Sequence, residues 1–367
     1  MATSPPRWSA GRARDWYEKL PWQVGFNFVP STAVNQLEMW QGETFDPETI
    51  ERELRWAAEL GFNSLRVFLH DLAWEQDRDG FIGRVRRFLE IASGFQFRTM
   101  FVFFDDCWHP DPLPGPQPEP VPGVHNSRWV QSPGNRVVRD PRQWGRLEDY
   151  VRDVVETFGE DPRVLLWDLY NEPGNSLLPS ASLSWWGKMT HVPPRALQAW
   201  LAPSPSLPLL RATFRWVREV GPSQPLTAGL WFINGGLNRF QLEASDVISF
   251  HQYAGPASLR RVIRRRARAG RPLLCTEYMA RPRKSRFETH LPIFRSAEVG
   301  CYHWGHVFGR TQTAFSWTDQ PGTLERAEWF HDLLRPDGSP HDPAEVAVIR
   351  EILRPSATHL PGSSVRA

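Results

Sequence analysis

Trp167-Asp168-Leu169-Tyr170-Asn171-Glu172-Pro173 is an apolar strand that ends in a polar Asn-Glu pair, and Pro173 forbids its continuation as a central strand. The run that carries it, Val164–Leu169, has counterparts along the whole chain. Gln23–Phe28, Ser64–Leu69, Thr99–Phe104, Pro225–Leu230, Val247–His251, Pro272–Glu277 and Cys301–His306 are near-continuous apolar runs, as expected of parallel strands buried on both faces. Helical patterns separate them. Pro47–Leu60 opens after Asp46 as cap, with Pro47 in the first turn, and stops at Gly61. Phe81–Ser93, Pro141–Phe158, Leu207–Val220, Gly236–Ala244, Ala257–Ala269 and Ser285–Ala297 show the same logic. Helical stretches near Leu324–Leu334 and Pro343–Leu353 close the chain. Eight strands, each followed by a helix, is the count of an α/β protein built as a single (β/α)₈ TIM barrel. On that reading residues 1–21 are an N-terminal extension, 22–353 the barrel and 354–367 a tail.

The bulk numbers agree with one soluble barrel. The chain has 367 residues, 41% of them hydrophobic and 23% charged, and its formal charge of +2 gives no reason to expect nucleic acid or a membrane as partner. One local exception is Arg260, Arg261, Arg264, Arg265, Arg266, Arg268 and Arg271, whose spacing fits a solvated helix face, with an anion site as the alternative. Three cysteines without CxxC spacing exclude a disulfide scaffold and a Cys-based zinc site. The first residues lack an apolar h-region, so the chain as written reads as cytoplasmic, or as secreted if a leader preceded it. No HExxH, P-loop or dinucleotide fingerprint stands out, and the eleven His occur without ligand spacing. No cofactor and no metal are therefore expected.

Two connections are too long to be simple links. Pro110–Gly123, with Pro at nearly every second position, is stiff and extended, and reads either as a wall of a substrate cleft or as a surface loop. Pro173–Ser206 carries Trp185, Trp186 and Trp200, either sugar-stacking rings or loop packing. Eighteen Trp and twenty-two Phe leave material for both uses.

The strand-four signal puts Glu172 at the end of the barrel where active sites lie. A second run, Leu273-Leu274-Cys275-Thr276-Glu277-Tyr278, puts Glu277 at the same end of strand seven. Strand ends of one barrel face a shared pocket, so carboxylates 105 positions apart converge. A separation of about 5–5.5 Å suits a retaining double displacement, and about 6.5–9.5 Å leaves room for the water of inversion. One must donate a proton while the other stays ionised, which differing environments can arrange.

These motifs resemble those of glycoside hydrolase family 5 and its clan of retaining (β/α)₈ enzymes, over roughly Trp22 to Arg350. The resemblance implies that Glu172 is the acid/base, Glu277 the nucleophile, and Asn171 a partner of the substrate 2-hydroxyl. It further implies that Arg66 on strand two keeps the nucleophile ionised. Tyr253 would donate to Glu277, His251 would contact sugar or acid/base, and Trp304 would form the platform under the sugar. Asp105 and Trp108 after strand three, and Asn27 and Trp231 at the ends of strands one and five, are further substrate-binding candidates. Many family members have a His after strand three; here Asp105 or His109 would take that place, which bears on specificity.

The implied function is hydrolysis of a β-linked gluco-, manno- or xylo-configured oligo- or polysaccharide through a glycosyl-enzyme. A transglycosylase would use the same residues. A barrel that binds glycans without cutting them is the alternative from another class; two tuned carboxylates argue against it.

Overall fold

The computed structural model of the protein describes residues 6–175, 203–323 and 325–354. Eight parallel strands form its centre: β1 Val24–Asn27, β2 Ser64–Phe68, β3 Arg98–Asp105, β4 Val164–Asn171, β5 Leu226–Thr227, β6 Ile248–His251, β7 Leu273–Tyr278 and β8 Gly300–Trp304. Each pairs with its sequence neighbour from β1 to β5 and from β6 to β8, and β8 returns to β1 with Asn27 opposite Trp304. The remaining seam, between β5 and β6, is closed by Leu230 N–H donating to Ser249 and His251 N–H donating to Leu230. A (β/α)₈ barrel results. Strand five is shorter than Pro225–Leu230, because beyond Thr227 only Leu230 pairs.

Local chemistry sets the helix starts. Pro47–Glu59 begins where the Asp46 carboxylate accepts the N–H of Thr49. Arg78–Gly94 begins three residues before the expected Phe81, because Asp77 supplies the cap. Leu207–Val220 ends at Gly221, which takes the left-handed conformation at φ +79°. On Pro256–Ala267 only Leu259 and Ile263 are buried; Arg260, Arg261, Arg264 and Arg265 face solvent. Among the described residues no helix is long and apolar enough to cross a membrane.

Residues 325–334 form no helix, contrary to the pattern read across Leu324–Leu334. Phe330, His331, Asp332, Leu333 and Leu334 are all buried in succession, which one face of a helix cannot achieve. Their N–H groups go instead to the carbonyls of Ala314, Thr313 and His306, so the segment is a strap over the loop after β8. The N-terminal segment, read as an extension, contributes a helix at Ala10–Glu18. Trp16, Tyr17 and Leu20 pack against Met100, Leu165, Leu166, Val247, Leu274 and Tyr302, an apolar plug at the N-terminal end of the barrel. Around the barrel wall, Trp167 stacks between Phe101 and Phe103.

Candidate active site

Glu172 comes directly after the last residue of β4 and sits in the left-handed region at φ +43°. Such a backbone costs about 1–3 kcal/mol for a residue with a Cβ, and here it turns the side chain across the barrel mouth as the strand stops. Glu277 reaches the same mouth through an irregularity in β7. Phe250 pairs with Cys275 but His251 pairs with Glu277, so Thr276 is bulged out and the next side chain is re-aimed. Oxygens of the two carboxylates lie within 4.8 Å of each other. His251 stands between them: its Nδ1 is 2.9 Å from Glu172 Oε1 and 3.4 Å from Glu277 Oε2.

Beneath the carboxylates lies a layer of buried charge. Arg66, fully buried, donates from Nη1 to Glu277 Oε1 (2.9 Å) and to Asn27 Oδ1 (2.8 Å). From Nε and Nη2 it donates to Asp168 Oδ2, and from Nη2 also to Asn171 Oδ1 at 2.7 Å. Asn27 is anchored in turn by donating to the carbonyls of Thr276 and His303. Asn171 donates to Asp105 Oδ1, whose other oxygen accepts Trp129 Nε1 at 2.6 Å. Arg66, Asn27 and Asp105 therefore lie under the floor of the site and orient the groups that face the cavity.

Burial raises the Glu277 carboxyl from its ordinary range, and the nearby Glu172 pushes in the same direction. Arg66 and the Tyr253 hydroxyl, which donates to Oε2 at 2.8 Å, oppose that rise. His251 is lowered to about 4 by burial, so at neutral pH its imidazole is uncharged and Arg66 is the cation beside Glu277. Among the partners of Glu172 are three neutral groups, two of which, Asn175 and Cys107, donate to it. His251 holds Oε1, while Asn175 Nδ2 (2.7 Å) and Cys107 Sγ (3.3 Å) hold Oε2. Burial and the surrounding carboxylates push the Cys107 thiol up, so it donates as S–H.

A cavity of about 190 Å³ opens over this layer, and Trp108, Asn171, Trp231, Tyr253 and Trp304 line it together with the two carboxylates and His251. Trp304 is fixed edge-on against Phe68 and Trp129. Trp231 donates to the carbonyl of Pro173. The sequence reading did not single out Cys107, His125, Asn126, Trp129, Asn175, Arg283, Trp317 and His331, which line the same cavity. His109 is not among them; its Nε2 meets the carbonyl of Ser127, and Cys107 is the residue after β3 that touches Glu172.

The long loops behave differently from expectation. Pro110–Gly123 does not line the cavity. It lies on the outer rim, where Gly115 bonds Gln41 and Gln117 bonds Asn35, because a proline-rich segment has few N–H groups with which to pair inward. Of the residues just after it, His125, Asn126 and Trp129 reach the cavity. Trp185, Trp186 and Trp200 lie outside the described residues. Both ends of their loop are tied to buried Asp106, which accepts from Gly174 N, Ser206 Oγ and Tyr170 OH.

No family model and no curated protein sequence matches the chain. Solved structures do. The exo-β-1,4-mannosidase Op5Man5 from Opitutaceae bacterium strain TAV5 superimposes with a TM-score of 0.59 at 18% identity, over 96% of this chain and 62% of that one. A GH5_18 protein from Streptomyces cattleya, in complex with Manb1-4GlcNAc, gives 0.60 at 16% identity, over 92% and 82%. A β-mannanase from the blue mussel Mytilus edulis gives 0.50 at 13% identity, over 91% and 93%. The chain thus spans less than two thirds of the length of the first of these. What it shares with all three is the barrel fold.

Proposed function

We propose that the protein is a retaining β-glycoside hydrolase with Glu277 as nucleophile and Glu172 as acid/base. The observation that carries this reading is the pair of carboxylates with oxygens within 4.8 Å, bridged by one imidazole. That closeness suits direct attack on the anomeric carbon and leaves too little room for the water of an inverting reaction. The division of roles comes from charge. Two carboxylates this close do not both ionise readily. The one beside Arg66 and Tyr253 has a cation and a hydroxyl to hold the negative charge of a nucleophile, and Glu172, at the end of β4, takes the role of proton donor.

In the first step Glu277 forms a bond to the anomeric carbon as the glycosidic C–O bond breaks, and the proton of Glu172 passes to the leaving oxygen. In the second, Glu172 takes a proton from water, the hydroxide displaces Glu277, and a sugar of β configuration leaves. Trp304, Trp108 and Trp231 offer ring faces to the sugar, and Asn171 offers an amide toward its 2-hydroxyl. The structural neighbours include a β-1,4-mannosidase, a β-mannanase and a protein holding Manb1-4GlcNAc, which puts β-mannosides first among possible substrates. Product analysis on aryl β-mannoside, β-glucoside and β-xyloside and on β-1,4-mannan tests it, with Glu277→Ala alongside. Release of sugar that disappears in the variant is expected; an active Glu277→Ala would sink the assignment.

A further inference from the structure

Glu172, His251 and Glu277 offer one nitrogen and two oxygens that all lie within 4.8 Å of one another. Two of the spacings, 2.9 Å and 3.4 Å, bracket the roughly 3.3 Å that separates ligands of a tetrahedral ion with bonds of about 2.0–2.1 Å. Glu277 Oε1 is engaged by Arg66, so Oε2 is the oxygen turned toward the imidazole. His251 Nε2 is buried beside Gly229 with no hydrogen-bond partner among the described residues, and Nδ1 is the ring nitrogen that faces the two carboxylates. Charge is also suited to a cation. Asp168 and Glu277 pair with one guanidinium, that of Arg66, and Glu172 adds a further carboxylate beside Glu277.

We infer that Glu172, His251 and Glu277 form a reversible binding site for a borderline divalent transition-metal ion, Zn²⁺ foremost, in the space a sugar would occupy. One imidazole and two carboxylates, with a fourth position open to water, match the ligand preferences of Zn²⁺. Mg²⁺ demands near-octahedral oxygen coordination and is excluded by the same set. An ion held there ties up both carboxylates. It therefore inhibits in competition with substrate if the proposed hydrolase reading holds, while the binding itself does not rest on that reading.

Calorimetric titration of the metal-free protein with ZnCl₂ tests the site, with MgCl₂ as the contrasting probe. The expected result is one tight Zn²⁺ per chain, weakened more than about tenfold in both His251→Ala and Glu172→Gln, and no Mg²⁺ heat. Circular dichroism confirms that each variant is folded, and His109→Ala, which removes an imidazole outside the cavity, keeps the affinity. No tight Zn²⁺ binding, or binding unchanged in His251→Ala, would overturn the inference. Turnover of an aryl β-mannoside separates the two ideas. Zn²⁺ binding without any turnover removes the hydrolase reading and leaves the metal site, whereas turnover indifferent to saturating Zn²⁺ removes the metal site.

Discussion

The same strands end in opposite chemistry at the two mouths of the barrel. At the N-terminal mouth, Met100, Leu165, Leu166, Val247, Leu274 and Tyr302 make a dry plug, covered by Trp16, Tyr17 and Leu20. Toward their other ends the strands carry Asp168, Asn171, His251, Glu277 and Trp304, and they enclose a buried guanidinium. β4 alone runs from Leu165 and Leu166 through Asp168 to Asn171. The plug gains stability by burying apolar surface, at roughly 25 cal/mol per Å². The charged mouth gives up part of that gain, because buried ions lose hydration that their partners restore incompletely. Stability is thus concentrated at one end and the proposed chemistry at the other.

Substitutions at the two ends should separate cleanly. Glu277→Ala at the charged mouth should lower turnover by more than about 10⁴-fold while thermal unfolding barely moves. A parallel fall in melting temperature would break the contrast. Next comes the cost of the charged layer itself. Asp105 is raised by burial from 3.8 to about 7, so between those values the folded chain holds a proton that the unfolded chain has released. Stability should therefore fall as pH rises from about 4 to about 7, by on the order of 4 kcal/mol for this group. Asp105→Asn should flatten that slope in denaturant titrations across pH, and an unchanged slope would count against it.

At the plug, Leu166→Ala should cost about 2–5 kcal/mol of unfolding free energy and leave the kcat of the folded fraction alone. A large loss of kcat with unchanged stability would show that the two ends are coupled. The smallest effect sharpens the account of His251. A methyl group at Gly229 would come 3.2 Å from His251 Nε2. Gly229→Ala should push the ring toward the carboxylates and lower kcat by about 10- to 100-fold, with KM and melting temperature nearly constant. A wild-type kcat in that variant would mean the ring has slack.

The division between the two mouths also explains which features were legible in the sequence. Apolar runs fed by capped helices announce the barrel. Burial on both faces forces strands such as Val164–Asn171 to be apolar, and the helix Pro47–Glu59 needs the carboxylate of Asp46 at its first turn. Polar residues that interrupt such runs, Arg66 and Glu277 among them, announce the mouth. Asp168 carried the same signal, a charge inside an apolar strand, and its pairing with Arg66 was there to be inferred. Cavity residues on loops had no such mark. His125, Arg283, Trp317 and His331 lie on connections with no period, where position is set by tertiary packing alone. The strap at residues 325–334 misled for a related reason: its apolar residues are spaced like a helix, but their backbone partners belong to the loop after β8.

The covalent intermediate is the most direct witness to the role of Glu277. A 2-deoxy-2-fluoro-β-mannosyl fluoride should inactivate the protein, and mass spectrometry of the digest should find one fluorosugar on the peptide that carries Glu277. The same adduct should be absent from Glu277→Ala. A label on the peptide of Glu172, or sugar released with inverted configuration and no label at all, would contradict the double displacement proposed for this barrel.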